Sequence, residues 1–410
     1  PSPFSGFLDV VEGARDYRSG NGSRQDVQIE AIDDLTLQIR LTAPAPYFLD
    51  MLSHQSMTAI HPDQLTQENW HELESLYGSG PFQLESLADD HMEFVPNPHY
   101  WDAHRIQLDR IRIDFSEDVQ EVTEHFNEGE IQWAMGNFDF SEVRNPDFVL
   151  ANPVFSTSFF FFNHRQEAYR NSRIRRGLTL LIPWEEIRTD QVYYNPSDQL
   201  VPQIPGYEKA DSIHSQDVDA GLELLRESGY PLGRGLTDIT IRLADGSEQN
   251  RIAQVYKQAI EEHTEITVNI EQLSAGEDYY SSLERNDYTI GNITWIGDYL
   301  DPLTFLMLFI SDSGINNSAY ENPEYDELIE AANRQENSER LSTLAKAEAL
   351  LLQEGAVWPI NHTVAFHLVN TEELEGWFPT ALDLHPVKFL RRLEFLPGPG
   401  ITRLGEFDEP

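Results

Sequence analysis

The chain has 410 residues, 40% of them hydrophobic and 11% aromatic, which is enough apolar material for two or three domains with real cores. Its 70 acidic and 28 basic residues give a net charge of −42, which excludes a nucleic-acid-binding surface because a phosphate backbone would be repelled over most of it. The absence of cysteine excludes disulfides, thiol catalysis and cysteine-bound metal, and apolar runs such as FLMLFI at 305–310 fall short of the roughly 18 residues of a membrane-crossing helix.

Taken in order, residues 27–41 read as strand, turn and strand, because Val27 and Ile29 alternate before IDDLT and Leu37, Ile39 and Leu41 alternate after it. PAPYFL at 44–49 then turns the chain back. IQLDRIRIDF at 106–115 alternates with a phase slip between Leu108 and Ile111, which predicts a bulge or two short strands. From about 172 helices and strands alternate. Asp217 caps a predicted helix carrying Val218, Leu222 and Leu225 on one face and stopped by Gly229. A strand at 239–243, a helix over about 248–262 and a strand at 266–273 predict a parallel pair with a right-handed crossover. Helices at about 323–336 and 338–354 precede a strand within 358–369, and LPGPG at 396–400 opens an acidic tail expected to be mobile. The predicted domains are a partial first lobe at 1–171 with a mixed sheet, a second α/β lobe at 172–370, a return to the first lobe at 371–395, and the tail at 396–410.

Catalytic signatures are missing. There is no Gly-x-Ser-x-Gly, Walker loop or His-Glu-x-x-His, and Gly78 and Gly80 in YGSGPF suit a tight turn better than a phosphate cradle. The 13 histidines are scattered; Asp89, Asp90, His91 and Glu93 read as a solvated turn, and neither a metal nor a cofactor is predicted. Only four of the basic residues are lysines, Lys209, Lys257, Lys346 and Lys388, a composition that suggests a halophile or an acidic protein from a GC-rich genome.

WIGDYLDPLTFL at 295–306 stands apart. Ile290, Ile293 and Ile296 lead into Asp298, Trp295 lies alongside, and a turn at Pro302 follows, so the Asp298 carboxylate is predicted at the end of a buried strand. A buried carboxylate needs a partner: a salt bridge to an arginine such as Arg285, a helix-capping role, or a cation from a ligand. Asp301 is close enough in sequence to make a glycosidase-like acid pair with Asp298.

Several segments resemble, in order, the oligopeptide-binding proteins of ABC importers, in the peptide/nickel family of extracytoplasmic solute-binding proteins. EGARDYRSG at 12–20, VQIEAIDDLTLQIRLTAPAPYFLDML at 27–52, GSGPFQL at 78–84, VPNPHYWD at 95–102, FNEGEIQ at 126–132 and NSRIRRGLTLLI at 171–182 carry it, with Gly177 where the family usually has alanine. WIGDYLDPLTFL, SDSGINNSAY at 311–320 and NPEYDELI at 322–329 complete it.

The resemblance implies an α/β protein with a two-lobe periplasmic-binding-protein-like fold (type II, Venus-flytrap). The family's N-terminal portion has no counterpart before Pro1, so its third domain is expected to be largely absent, and any secretion signal or lipid anchor to have been removed. It implies that Asp298 receives a peptide's α-ammonium group, that Trp295 walls the pocket, that Ile296 and Gly297 pair with the peptide backbone, and that Asn316 lines the site. Asn292 stands where some members hold an arginine. The function implied is capture of short peptides outside the cytoplasm, in the periplasm or at the cell exterior, for a membrane permease, by a monomer that is not an enzyme. The alternatives are another solute of the same family, such as an oligosaccharide or nickel, and a glycoside hydrolase using Asp298 and Asp301.

Overall fold

The computed structural model describes residues 3–66, 77–136, 138–188, 194–213, 215–274 and 276–393. The expected acidic tail from 396 lies outside the described residues.

Strands follow the alternation of the sequence. β1 (Ile29–Asp33) and β2 (Thr36–Ile39) form the expected hairpin; β3 (Phe82–Leu87), β4 (His91–Pro96) and β5 (Ile111–Asp114) form an antiparallel three-stranded sheet. Of the 106–115 stretch, only Ile111–Asp114 is strand, because a 3-10 turn at Ala103–Arg105 delivers the chain too late for Leu108 to pair. The remaining strands are β6 (Trp133–Met135), β7 (Val149–Phe162), β8 (Tyr194–Pro196), β9 (Ile239–Ala244), β10 (Val268–Leu273), β11 (Ile290–Ile296), β12 (Val357–Val369), β13 (Leu374–Glu375) and β14 (Arg391–Arg392). The order β10-β9-β11-β7-β12-β6, with β8 on β12, makes one seven-stranded sheet.

The chain divides into two compact units, one built from residues up to Thr58 with Val154–Val364, the other from Ala59–Pro153 and the chain from Ala365. These boundaries differ from the expected change of lobe at 171/172. β7 is a single 14-residue strand whose part from Ser156 onward pairs with β11, and the unit boundary at Val154 falls inside the strand instead of after it.

In the first unit β9 and β10 are parallel, joined by the helix Ser247–His263, as the crossover rule requires. Phe159–Phe162 of β7 are all buried; Phe160 and Phe162 join Leu178, Leu225, Ile241, Tyr256 and Trp358 in one core. The helix Val218–Glu227 is capped by Asp217, whose carboxylate accepts from the Ala220 N–H, and ends before Gly229 at φ +89°. It packs on the helix Ser172–Leu180 so closely that a Cβ on Gly221 would lie 2.7 Å from the Gly177 carbonyl oxygen, and one on Gly177 3.0 Å from that of Gly221. That crossing accounts for glycine at 177.

The second unit holds the β3-β4-β5 sheet and a helix at Val119–Asn127, whose first N–H groups are accepted by Asp118. β6 pairs with the last residues of β12, and Trp133, Val369, Leu374, Trp377 and Leu390 pack together there.

Candidate functional site

The site lies in the first unit, at the end of β11. This strand runs antiparallel to β7, with Gly291 opposite Phe161, Ile293 opposite Phe159, Trp295 opposite Thr157 and Ile296 opposite Ser156. The Gly297 N–H donates to the Phe155 carbonyl at 2.8 Å, which fixes the phase of the ladder. In an antiparallel pair alternate residues direct both main-chain groups to the partner. Residues 291, 293, 295 and 297 therefore face β7, and Asn292, Thr294 and Ile296 face the other side.

On that other side β9 pairs with β11 only at Ile290 and Gly291. The main-chain N–H and C=O of Thr294 and Ile296 consequently have no strand partner among the described residues, and both residues are exposed, Ile296 at 44%. The edge is closed one step earlier. Tyr279 donates its hydroxyl to the Asn292 carbonyl at 2.5 Å and accepts from the Asn292 N–H at 3.3 Å.

Asp298 follows two residues beyond the strand. Its Oδ1 lies 3.2 Å from His54 Nε2, and its Oδ2 accepts from the Thr304 hydroxyl at 2.9 Å, while its own N–H donates to Thr304 Oγ1 at 2.8 Å. His54 Nδ1 meets the Ser56 N–H at 3.3 Å and the Ser56 hydroxyl at 2.8 Å, an arrangement that suits a ring proton on Nε2, facing Asp298. Phe7 packs edge-on to the His54 ring. The carboxylate is only 9% exposed, and burial raises its pKa against the opposing effects of Thr304 and His54. Two donors on a group with about four acceptor positions orient the carboxylate without saturating it.

Its neighbour has a different fate. Asp301 takes both Arg340 Nη1 at 2.7 Å and Nη2 at 2.8 Å in a buried bidentate pair, and the guanidinium lies 4.7 Å over the Tyr47 ring, which stacks on Tyr299. Locked in this pair, Asp301 offers neither the free acid nor the free base that the hydrolase reading needs. Within the chain the partner of Asp298 is His54, so of the alternatives open from sequence the salt bridge to an arginine such as Arg285 is not the one formed among the described residues.

Three other expected site residues are spent inside the fold. Asn292 is buried and donates its side-chain amide to the Phe159 carbonyl. Asn316 donates to the carbonyls of Ile310 and Tyr320 and accepts from Ser318, tying its own loop together. Gly297 gives its N–H to Phe155, which leaves that group unavailable to a ligand, whereas the main-chain groups of Thr294 have no strand partner among the described residues. Glycine is required at 297 because a Cβ there would lie 2.5 Å from Phe155 Cδ1. Trp295 is half-buried with its indole nitrogen unpartnered among the described residues, and Ile296 is exposed at the end of β11.

Residues directly opposite in a ladder share a face, so the Trp295 and Thr157 side chains stand in one row. The Thr157 hydroxyl bonds to the Leu200 carbonyl and lies 3.0 Å from His362 Nδ1. His362 lines a cavity of about 720 Å³ with Trp184, Arg188, Asp198, Gln199 and Tyr207. Burial lowers the His362 pKa to about 4, so the ring is neutral. Asp198 is held ionised, its pKa lowered to about 2 despite burial by Lys209, Ser212 and Gln199.

His54, Thr304 and Tyr279 carry the geometry of this site, and the sequence reading did not single out their roles. Thr304 was within reach, six residues after Asp298 in a turn; His54 is 244 positions away and carries no local signal.

Comparison with known proteins agrees with this architecture. The profile of the bacterial extracellular solute-binding proteins, family 5 (middle part), matches residues 5–317. The dipeptide-binding protein DppE of Bacillus subtilis is 26% identical over 405 residues, covering 95% of this chain and 73% of its own. The periplasmic oligopeptide-binding protein OppA of Salmonella typhimurium is 22% identical over 400 residues, covering 92% and 72%. Among solved structures, a periplasmic oligopeptide-binding protein of Borrelia burgdorferi superposes with a TM-score of 0.82 at 24% identity, over 96% of this chain and 81% of that one. Haemophilus influenzae OppA in complex with the peptide RPPGFSPFR gives 0.83 at 20% identity, over 96% and 80%. These likenesses establish the two-lobe periplasmic-binding-protein fold, and the chain belongs to the bacterial extracellular solute-binding proteins, family 5.

Proposed function

We propose that this chain captures short peptides outside the cytoplasm and delivers them to an ABC permease, as a binding protein without enzymatic activity. The observation that carries the reading is the open edge of β11: two unpaired sets of main-chain groups, at Thr294 and Ile296, lead directly to a carboxylate with spare acceptor capacity. A peptide laid along this edge is held through its main chain, which accepts any sequence. Its α-ammonium group supplies the cation that buried Asp298 lacks, and a charge-assisted hydrogen bond in such a site is about twice as strong as a neutral one. The names of the relatives, which are dipeptide- and oligopeptide-binding proteins, point to the same ligand class.

Calorimetry with tri-alanine and its N-acetylated form tests this. The free peptide is expected to bind and the acetylated one to lose most of its affinity. Equal affinity for the two would remove the ammonium from the proposal.

A further inference from the structure

The open edge of β11 has a definite end, and that end bears on ligand length. Past Gly291 and its partner Arg242, β9 no longer pairs with β11, and the Tyr279 hydroxyl fills the gap between the strands. It donates to the Asn292 carbonyl and accepts from the Asn292 N–H. One hydroxyl has one proton and two lone pairs. The proton and one lone pair are committed to Asn292, and the tyrosine is 2% exposed, so the plug is part of the packed fold.

Beyond Gly291, Asn292, Thr294 and Ile296 are the three residues of β11 whose main-chain groups face away from β7. Tyr279 occupies the first and leaves the other two. Resting on the peptide reading above, we infer that Tyr279 is a length-determining residue: it ends the ligand's backbone pairing at Thr294. With the α-ammonium at Asp298 the peptide runs antiparallel to β11. Its first residue then lies opposite Ile296, with its carbonyl on the Ile296 N–H. Because ladder bonds recur at every second residue, its third residue pairs with Thr294. The fifth would need the main chain of Asn292, which Tyr279 holds. Main-chain recognition therefore covers three residues, and residues beyond the fourth gain nothing from the strand.

The test compares tri-, tetra- and penta-alanine by calorimetry on wild type, Tyr279→Phe and Tyr279→Ala, with thermal melts to show that each variant is folded. For wild type the three affinities are expected within about threefold. Tyr279→Phe removes only the hydroxyl and Tyr279→Ala also removes the ring. In at least one folded variant penta-alanine should gain about fivefold over tri-alanine, the worth of roughly one added hydrogen bond. Hydrogen exchange gives a readout on the wild type alone: tri-alanine should protect the Thr294 and Ile296 amides, and penta-alanine should add no protection at Asn292. The inference is overturned if wild type binds penta-alanine tenfold or more tighter than tri-alanine, or if both variants are folded and keep the wild-type length profile. If wild type binds none of the three peptides, the peptide reading itself is lost and the length limit with it.

Discussion

Each unit contains a carboxylate that meets histidine, and the two are tuned in opposite directions. In the first unit Asp298 has two donors, His54 and Thr304, one on each oxygen, and burial raises its pKa. In the second unit Asp383 Oδ1 accepts from His367 Nε2 at 3.0 Å and from Asn152 Nδ2 at 2.5 Å, and His385 Nε2 lies 3.2 Å away while its Nδ1 donates to the Phe378 carbonyl. There the donors outweigh burial and the pKa falls to about 2. Depth and partners together decide which charge state the fold favours: Asp298 is the more buried, and Asp383 has the stronger set of partners. Asp383 is satisfied by its own chain and holds the 377–390 segment to β7 and β12. Asp298 is not, and that deficit is what a cationic ligand can fill. His367, Asp383 and His385 are residue types that also hold metal, but Trp133 donates its indole N–H to His367 Nδ1 at 3.2 Å. The His367 proton is thereby placed on Nε2, the atom a metal would need.

Removing each carboxylate should separate the roles. Asp298→Ala is expected to cost about 2–5 kcal/mol in peptide affinity by calorimetry, with the fold retained, since it truncates the charge partner of a desolvated ammonium. Asp383→Asn should do the reverse, losing about 1–3 kcal/mol of stability in denaturant titration through a weakened buried network, with peptide affinity within twofold. A binding defect in Asp383→Asn equal to that of Asp298→Ala would erase the distinction.

Acid should read the same contrast from both ends. The Asp383 carboxylate is more acidic in the folded chain than its ordinary 3.8, so its stabilisation is full above that value and is lost as pH falls toward about 2. Discounted for its partial exposure to solvent, the loss is on the order of 1 kcal/mol in pH-dependent melts. Asp298 has the opposite sign. Burial raises its pKa, so ionisation costs the fold stability as pH rises, and an ammonium ligand must draw it back to the charged form. Peptide affinity should therefore weaken on acidification, beginning above the ordinary carboxylate range. The same profile in Asp298→Asn would assign the effect elsewhere.

Much of this was legible from residue order. Alternation located β1, β2 and β9, Asp217 and Gly229 marked both ends of a helix, and the apolar run ahead of Asp298 placed that carboxylate at the end of a buried strand. What stayed hidden depends on long-range register. Whether Gly297 or Thr294 offers free main-chain groups is decided by the pairing of β11 with β7, residues more than 130 positions apart, and a one-residue change of phase exchanges the two. The change of unit inside β7 is hidden for the same reason, since nothing local marks the point where a continuous strand changes neighbours. Asn292 and Asn316 attracted attention by position, yet amide side chains satisfy backbone as readily as they satisfy ligands.

The smallest expected effect probes how far Asp298 depends on being oriented. Thr304 closes a six-residue loop on it, donating to Oδ2 while accepting from the Asp298 N–H. Thr304→Val keeps the shape of this fully buried side chain, which is 0% exposed, but removes both bonds. The carboxylate keeps His54 and regains acceptor capacity, so its attraction for a cation is retained while its position is less fixed. Affinity for tri-alanine should fall by about 0.5–1.5 kcal/mol, the worth of one hydrogen bond, far short of Asp298→Ala. Because one fewer donor now stabilises the charged form, the acid-induced loss of binding should also begin at higher pH than in wild type. An affinity loss with an unchanged pH profile would mean that Thr304 shapes the loop and leaves the charge untouched.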